Sequence, residues 1–338
     1  MSELRQDATI KQWVIVATER AKRPHSFVPV RRLKELPPHD ASCPFCPGNE
    51  SQTPGEVMRV RGDGSPGASG WMVRVVPNKF AALTMGGSIA RREEGEFFRK
   101  MDGVGVHEVI IESPLHNGCL ALMPEEQVAQ VLYTYRTRYN DLRNHPLLRF
   151  ILIFKNQGES AGTSLEHPHS QLVATPVPSP RIQKKFEVAM GYYDDSGRCL
   201  YCDLFRHELD AGVRVINDTE NFVVFHPYAS RSPFETWIAP KVHQPCFGTI
   251  IDEEVEELAR VLKDTLLRMY RTLNHPDFNY VIATSPTDHE ENRFYDWHII
   301  IIPRLTTVAG FEMGSGIYIN TALPEETAEF MRQARPAL

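Results

Sequence analysis

The feature of this sequence that most constrains its fold is an internal repeat. A Cys-x-x-Cys pair occurs twice, as Cys43/Cys46 and as Cys199/Cys202. Three further pairs of residues are each 129 positions apart, namely His167 and Asp296, His169 and His298, and Asn156 and Ser285. Equal spacings at chemically similar positions indicate a duplicated structural unit. The sequence therefore predicts two related halves, residues 1–180 and 181–338, with the join near the proline-rich segment at 176–180.

Each half combines apolar, strand-like runs with one long amphipathic helix. The first helix begins after Pro124, and the second is expected to be capped by Asp252. Helical spacing is followed in the first half by Val128, Val131, Leu132, Tyr135 and Tyr139. Strands that alternate with single helices predict an α+β fold, a mainly antiparallel sheet with helices packed on it. This pattern leaves open whether the two halves face each other across a cleft or pair their sheets.

Composition excludes several classes of protein. The 338 residues are 42% hydrophobic and 24% charged, as in ordinary globular proteins. The net charge of −6 argues against nucleic-acid binding, which usually requires a basic excess. The chain has no run of about 18 apolar residues, and its first residues lack the apolar region of a signal peptide. We therefore expect a cytoplasmic protein without nucleic-acid or membrane partners.

The stretch at 154–171 carries the most specific chemistry. It follows the apolar, strand-like run 150–153. It then allows a tight turn whose backbone N–H groups can bind an anion, around Asn156, Gly158, Gly162 and Ser164. This turn is the expected phosphate-binding segment of the chain.

Two histidines and a glutamine follow this turn. On a strand, His167, His169 and Gln171 would share one face, and Pro168 would stiffen the chain between the imidazoles. An imidazole held at one nitrogen by a backbone carbonyl can attack phosphorus with its other nitrogen. A nearby amide can donate to the phosphoryl oxygen as its charge develops. The pattern favours phosphoryl chemistry over the alternative of two structural histidines on an edge strand.

Four of the six cysteines lie in the two Cys-x-x-Cys pairs. In a long chain without a secretion signal, such pairs are more typical of metal binding than of disulfides. Each pair offers two ligands to a tetrahedral zinc, which needs two more from elsewhere. A thioredoxin-like redox pair is disfavoured because no βαβ pattern surrounds Cys43 and Cys46. His116 follows a strand-like run at a place where it could supply a third ligand.

A basic segment near the N-terminus has two interpretations. Arg20, Lys22 and Arg23 lie beside a turn and could clamp a phosphate, which arginine binds through paired hydrogen bonds. The same cations could equally form a solvated loop.

These motifs together resemble a known family. The string His-Pro-His-Ser-Gln, after Asn-Gln-Gly-x-x-x-Gly-x-Ser, resembles the galactose-1-phosphate uridylyltransferase family of the histidine-triad superfamily. The resemblance implies that His169 is the nucleophile that becomes nucleotidylated, and that Gln171 and Ser164 hold the phosphoryl oxygens. It also implies two histidine-triad-like halves, and a homodimer with active sites near the subunit interface.

Other segments extend the resemblance along the chain. The string Arg-Ala-Lys-Arg-Pro at 20–24 is similar to the family's substrate-phosphate motif, and Asn78 lies in a segment like the one near the nucleotide. The closing segment 310–320 resembles a C-terminal loop that contacts the sugar phosphate. There, Gly314 and Gly316 would permit close approach of the backbone to a phosphate.

The resemblance also supports two metal sites. A closed Cys₂His₂ set typical of structural zinc consists of Cys43, Cys46, His116 and His167. The equivalent residues of the second half are Cys199, Cys202, His243 and Asp296. Relatives often have histidine at the last of these positions, but a carboxylate is an acceptable zinc ligand, so the second site could survive with altered chemistry. No glutamine follows His298, and the second half is therefore expected to be non-catalytic but to contribute to substrate binding.

The expected activity is a double displacement. A nucleoside diphosphate sugar gives its nucleotidyl group to His169 and releases a sugar 1-phosphate, and a second phosphate acceptor then takes the group. We expect transfer of UMP between UDP-hexose and hexose 1-phosphate, as in galactose metabolism. An ADP-sugar phosphorylase of the same superfamily is the alternative. A nucleotide hydrolase is disfavoured because Gln171 stands in place of a third histidine, and a non-enzymatic zinc module because 70 residues separate Cys46 from His116.

Overall fold

The computed structural model describes residues 1–17, 27, 35–62 and 70–334. Its strands are β1 (Glu3–Gln6), β2 (Trp13–Val16), β3 (Met58–Arg61), β4 (Trp71–Pro77), β5 (Arg92–Glu94), β6 (Phe98–Lys100), β7 (Val106–Ile111), β8 (Phe150–Gln157), β9 (His169–Thr175), β10 (Val215–Asp218), β11 (Phe222–Phe225), β12 (Thr236–Pro240), β13 (Phe278–Ala283), β14 (His298–Pro303) and β15 (Tyr318–Asn320). Its helices are α1 (Glu125–Arg143), α2 (Pro180–Ser196), α3 (Leu200–Ala211), α4 (Asp252–Thr272), α5 (Gly310–Ser315) and α6 (Pro324–Gln333).

One ten-stranded sheet dominates the fold, in the order β10-β11-β12-β14-β13-β8-β9-β7-β4-β3. All its neighbouring strands are antiparallel. Counted inward from the two ends, the strands correspond in pairs: β10 to β3, β11 to β4, β12 to β7, β14 to β9 and β13 to β8. The predicted α+β fold, a mainly antiparallel sheet built from two duplicated halves, is therefore confirmed.

The two halves pair their sheets, which answers the question that the sequence left open. Strands β8 and β13 are hydrogen-bonded at the centre, and Ile153 lies directly opposite Ile282. These two isoleucines are also 129 positions apart in sequence, so they are repeats of each other. An approximate two-fold axis therefore passes through the middle of the sheet at this pair.

Both faces of the sheet are covered. Helices α1 and α4 pack together on one face, where their apolar residues join the main core. On the other face, α2 and α3 cover the strands of the second half. The segment with Cys43 and Cys46 packs against the first half there, on Val76, Val109 and Ile111. The segment with the first Cys-x-x-Cys pair thus covers this face of the sheet in the first half.

Three local expectations need correction. Ile251 is the N-cap of α4, and Asp252 is the first helical residue, where its carboxylate still favours the positive end of the helix. His167 precedes β9, which begins at His169, so the three polar residues do not share one strand. The closing segment is not an open loop, because residues 310–315 form the short helix α5 before β15 pairs with β2.

No helix within the described ranges is long and apolar enough to cross a membrane.

Candidate active site and metal clusters

A cavity of about 740 Å³ lies at the carboxyl end of β8. The predicted site residues that line it are Cys43, His116, Asn156, Gly158, Ser164, His167 and His169. The second half also contributes to its wall, through His275 and Asp277 before β13. The chain turns sharply after β8 and returns along β9, and this hairpin brings the glycine turn and the two histidines to one place.

The imidazole of His169 is held from one side and free on the other. Its Nδ1–H donates to the carbonyl oxygen of His167 at 2.8 Å, and no residue of the described chain hydrogen-bonds its Nε2. The side chain is buried, and the ring of Phe45 packs at 5.5 Å from it. Burial lowers the pKa of His169 below its ordinary value, against the hydrogen bond to His167, which raises it. The imidazole is therefore neutral near pH 7, with an unprotonated Nε2.

A buried ion pair of Lys155 and Glu112, which the sequence did not predict, contacts the main chain of His169. Lys155 Nζ donates to the carbonyl oxygen of His169 at 3.0 Å and to Glu112 Oε2 at 2.6 Å. The Lys155 and Glu112 side chains are 1% and 0% exposed. Tyr135 donates from its hydroxyl to the other carboxylate oxygen of Glu112 at 3.1 Å. Loss of one member would leave an uncompensated buried charge, so the pair holds the His169 main chain in one position.

The turn after β8 depends on a glycine and a carboxylate. Gly158 has φ +86° and ψ 164°, a conformation that only glycine adopts readily. A Cβ added at Gly158 would lie 1.8 Å from Asp277 Oδ1. The other oxygen of Asp277 accepts a hydrogen bond from Ser160 N–H at 2.8 Å. A residue of the second half therefore fixes the turn of the first.

Gly158→Ala is expected to destabilise the protein more than Gly162→Ala. Both glycines have φ +86°, but a Cβ at Gly162 would meet no atom within 4 Å. Gly162→Ala should cost about 1–2 kcal/mol of backbone strain, whereas Gly158→Ala must also displace Asp277. Thermal unfolding of both variants measures the difference. Equal losses would mean that Asp277 does not hold the turn.

Gln171 and Asn78 lie together, but around a residue that the sequence analysis did not single out. His107 Nε2–H donates to Gln171 Oε1 at 2.8 Å. Asn78 Nδ2 lies 3.1 Å from the same ring nitrogen, and its backbone N–H donates to the His107 carbonyl oxygen. Gln171 and Asn78 do not line the cavity. No sequence pattern distinguished His107, and it is the pairing of β7 with β9 in the structure that brings it to Gln171.

The first metal cluster has the geometry of a tetrahedral site. The ligand atoms of Cys43, Cys46, His116 and His167 all lie within 4.8 Å of one another, and all four residues are buried. Sulfur-to-nitrogen distances of 3.6–3.8 Å match the edge of about 3.6 Å that follows from zinc–ligand bond lengths. His167 Nε2–H donates to the Ser113 carbonyl oxygen at 2.7 Å, which leaves Nδ1 for a metal. Burial lowers the pKa of His167 to about 4, so its ring is neutral.

The second cluster is assembled from the predicted residues but is more compact. Cys199, Cys202, His243 and Asp296 also have their ligand atoms within 4.8 Å. Asp296 Oδ1 lies 2.8 Å from His243 Nδ1, shorter than the edge of about 3.4 Å for a nitrogen and an oxygen on one zinc. The same oxygen accepts from Gln244 N–H at 2.7 Å. Both clusters can hold a metal ion, and the second must open slightly to do so.

His298, the repeat of His169, has the same backbone contact but no free nitrogen. Its Nδ1–H donates to the Asp296 carbonyl oxygen at 3.0 Å, and its Nε2 lies 3.1 Å from Lys185 Nζ. The ring is stacked on Trp237 at 4.4 Å and is fully buried. Burial also lowers the pKa of Lys185 to about 7. Both ring nitrogens of His298 therefore have a partner within the described chain.

The remaining predicted residues lie away from the cavity or outside the described chain. Arg20, Lys22 and Arg23 are outside the described residues. Gly162 ends the turn in a left-handed conformation. Gly314 lies within α5, and Gly316 ends that helix, with its carbonyl oxygen accepting from Gln12 Nε2. None of these glycines lines the cavity.

Comparison with known proteins identifies relatives along the whole chain. Residues 1–178 match the family model described as galactose-1-phosphate uridyl transferase, N-terminal domain. Residues 115–335 match a model described only as a domain of unknown function.

Three relatives illustrate the similarity. A protein of Arabidopsis thaliana named ADP-glucose phosphorylase is 36% identical over 334 residues, 98% of this chain and 92% of that one. A Thermotoga maritima protein named galactose-1-phosphate uridylyltransferase is 29% identical over 342 residues, 98% of each chain. A crystal structure of an ADP-glucose phosphorylase from Arabidopsis thaliana with bound ADP-glucose superimposes with a TM-score of 0.83, at 33% identity, over 100% of both chains.

Proposed function

Because this chain belongs to the galactose-1-phosphate uridyl transferase family, we propose that it moves a nucleotidyl group from a nucleoside diphosphate hexose to a phosphate acceptor through a covalent intermediate at His169. The chain is an enzyme, a nucleotidylyltransferase. The observation that carries the role of His169 is its geometry: Nδ1 is held by the His167 carbonyl oxygen, and Nε2 has no partner among the described residues in a side chain that lines the cavity of about 740 Å³.

The reaction has two displacements at the same phosphorus. In the first, the Nε2 lone pair of His169 attacks the α-phosphorus, and the bond to the bridging oxygen breaks, so that the sugar 1-phosphate leaves with that electron pair. In the second, a phosphate oxygen of the acceptor attacks and the nitrogen–phosphorus bond breaks. The Nδ1–H of His169 keeps its hydrogen bond to the His167 carbonyl oxygen throughout. This hydrogen bond stabilises the positive charge on the ring in the intermediate.

The residues around the cavity bind and orient the substrate. Asn156, Gly158 and Ser164 offer donors to the phosphates from the turn after β8. Gln171 lies on the same strand as His169, and we assign it to a phosphoryl oxygen from the family pattern. The hydrogen bond from His107 Nε2–H holds its side-chain oxygen. From the family pattern, we assign Arg20, Lys22 and Arg23 to the substrate phosphates. We assign Gly314 and Gly316 to the sugar phosphate on the same basis.

Zinc would be held by the Cys₂His₂ cluster, where it supplies structural cross-linking and leaves no ligand position open. His167 is both a ligand of that cluster and the acceptor for the His169 Nδ1–H. The cluster therefore sets the position of the nucleophile without entering the reaction.

The second half, from about residue 181, has a supporting role. Its equivalent imidazole, His298, is enclosed by Trp237 and Lys185 and cannot reach a phosphorus atom. It contributes His275 and Asp277 to the cavity. The homodimer and the cytoplasmic location are proposed from the family pattern and from the sequence.

Two bases are candidates for the nucleotide. Transfer of UMP between UDP-hexose and hexose 1-phosphate is supported by the family model and by the Thermotoga maritima relative. Phosphorolysis of an ADP-sugar is the second candidate, and the Arabidopsis thaliana relative at 36% identity favours it. The same nucleophile serves both reactions.

Mass spectrometry after incubation with UDP-glucose and, separately, ADP-glucose distinguishes the candidates. We expect a UMP adduct on His169, and exchange of labelled glucose 1-phosphate into UDP-glucose. An AMP adduct with exchange into ADP-glucose alone would replace uridylyl by adenylyl transfer. Absence of an adduct from both substrates would contradict the covalent mechanism.

A further inference from the structure

Hydrogen bonds across β8 and β13 point to Asn279 as a positioning residue of nucleotidyl transfer, and we propose that this residue of the second half fixes the orientation of the Asn156 amide. The inference rests on the proposed function, because it assigns Asn156 to a substrate phosphate. It concerns how the donor of Asn156 is directed toward the cavity.

Asn279 lies directly opposite Asn156 on the neighbouring strand. Its Nδ2 donates to Asn156 Oδ1 at 2.7 Å and to the Ala161 carbonyl oxygen at 2.9 Å. Arg304 Nε donates to Asn279 Oδ1. One side chain therefore connects the end of β14 to both ends of the phosphate-binding turn.

The hydrogen-bonding groups of Arg304 and Ala161 fix the orientation of the Asn279 and Asn156 amides. Arg304 can only donate, so Asn279 must present its oxygen to it. The Ala161 carbonyl can only accept, so Asn279 must present its nitrogen on the other side. The nitrogen also faces Asn156, which must therefore accept with Oδ1. This leaves Asn156 Nδ2 as a donor with no acceptor among the described residues.

Asn156 lines the cavity, and an amide nitrogen is the group that suits a phosphoryl oxygen there. The opposite orientation would present the carbonyl oxygen to a negatively charged phosphate. Asn279 thus selects the orientation that attracts the substrate. Asp277, two residues earlier, holds the same turn through Ser160.

The arrangement occurs in only one of the two repeats. Asn156 corresponds to Ser285, and the position 129 residues before Asn279 is Phe150, which has no side-chain hydrogen-bonding group. A requirement of the sheet alone would apply to both halves, which share their fold. The pair is therefore tied to the half that carries His169.

Asn279→Asp tests the inference with almost no change in shape. Aspartate still accepts from Arg304 but cannot donate to Asn156 or to Ala161, so the Asn156 amide must rotate and present Oδ1 to the phosphate. We expect the second-order rate constant for labelling of His169 by the nucleotide sugar to fall about 10- to 100-fold, the effect of losing a hydrogen bond to a charged group. Asn144→Asp, on the exposed end of α1, adds the same charge elsewhere and should label at the parent rate.

A double-mutant cycle separates positioning from a general effect on the fold. If Asn279 acts through Asn156, Asn279→Asp in an Asn156→Ala background should slow labelling less than threefold further. Asn279→Ala, which lets the Asn156 amide rotate without forcing it, should have an intermediate effect and serves if the aspartate variant does not fold. Thermal unfolding and metal content are measured on each variant.

The outcomes separate a failure of the proposed function from a failure of the role assigned to Asn279. If the parent protein forms no adduct with either nucleotide sugar, the proposed function fails and the inference with it. If the parent is labelled at His169 but Asn279→Asp labels at the parent rate, only the inference is overturned. An undiminished effect of Asn279→Asp in the Asn156→Ala background would likewise overturn the inference alone.

Discussion

Replacing His169 with alanine is expected to reduce nucleotidyl transfer by at least about a thousandfold, because a covalent nucleophile typically carries that much of the rate. The fold should survive, since within the described part of the chain the imidazole makes one hydrogen bond, to the His167 carbonyl oxygen. The loss should appear in the first displacement, measured as adduct formation in a single turnover. Exchange of labelled sugar 1-phosphate should be lost with it.

The repeat provides a matched control for this experiment. His298→Gln alters the equivalent imidazole, and a glutamine can still accept a hydrogen bond from Lys185. We expect this variant to form the adduct at close to the parent rate per folded molecule, although it should unfold at a lower temperature because the ring stacks on Trp237. Near-parent turnover in His169→Ala, or an equal loss in both variants, would exclude His169 as the nucleophile.

Cysteine and histidine have narrow chemistry, and this made the two candidate metal clusters accessible to sequence reasoning. A Cys-x-x-Cys pair in each half is typical of metal sites, and the constant spacing of 129 residues links Asp296 to His167. The structure assembles both sets as predicted. The glycine turn was accessible for the same reason, since a positive φ favours glycine.

The sequence could not predict the contacts that support the site, because they depend on which residues of different strands lie next to each other in the sheet. Lys155 meets Glu112 over 43 positions of sequence, and Asn279 meets Asn156 over 123. None of these residue types is unusual in a sheet, and only the strand order β13-β8-β9-β7 brings them together. The sequence could predict that the halves were related, but the central β8–β13 pairing was needed to show that the second half helps to build the first half's site.

The closing segment shows a different limit. Gly314 and Gly316 suggested an open phosphate-binding loop, but residues 310–315 form a helix with Gly316 as its left-handed end. Glycine is favoured at a helix end for the same reason as in a phosphate loop, namely the absence of a Cβ. A glycine pair alone therefore could not separate the two structures.

Cys46→Ser is expected to destabilise the protein far more than Cys202→Ser. The first cluster ties together three separate segments, the Cys-x-x-Cys turn, the loop after β7 and the residues before β9, over one face of the sheet. Structural zinc can contribute on the order of 10 kcal/mol to folding. Two thiolates and two neutral imidazoles balance the charge of Zn²⁺, whereas the second set adds a carboxylate and has a net charge of −1.

The second cluster should also lose its metal first. The additional negative charge must be solvated or paired, and a carboxylate oxygen is a harder ligand than the two thiolates beside it. Its ligand atoms lie closer together than a tetrahedral zinc requires, with His243 and Asp296 already hydrogen-bonded. Asp296→His should therefore tighten metal binding there.

Thermal unfolding of the two serine variants measures the first expectation, and elemental analysis during titration with a chelator measures the second. We expect about two zinc ions per chain, one lost early without loss of adduct formation at His169, and one lost late together with activity and folding. Cys202→Ser should remove the early step alone, and Asp296→His should delay it. Zinc content near zero in the purified protein, or loss from the cluster with His167 before the cluster with Asp296, would contradict this account, because the first set is the one whose charge and spacing match a zinc ion.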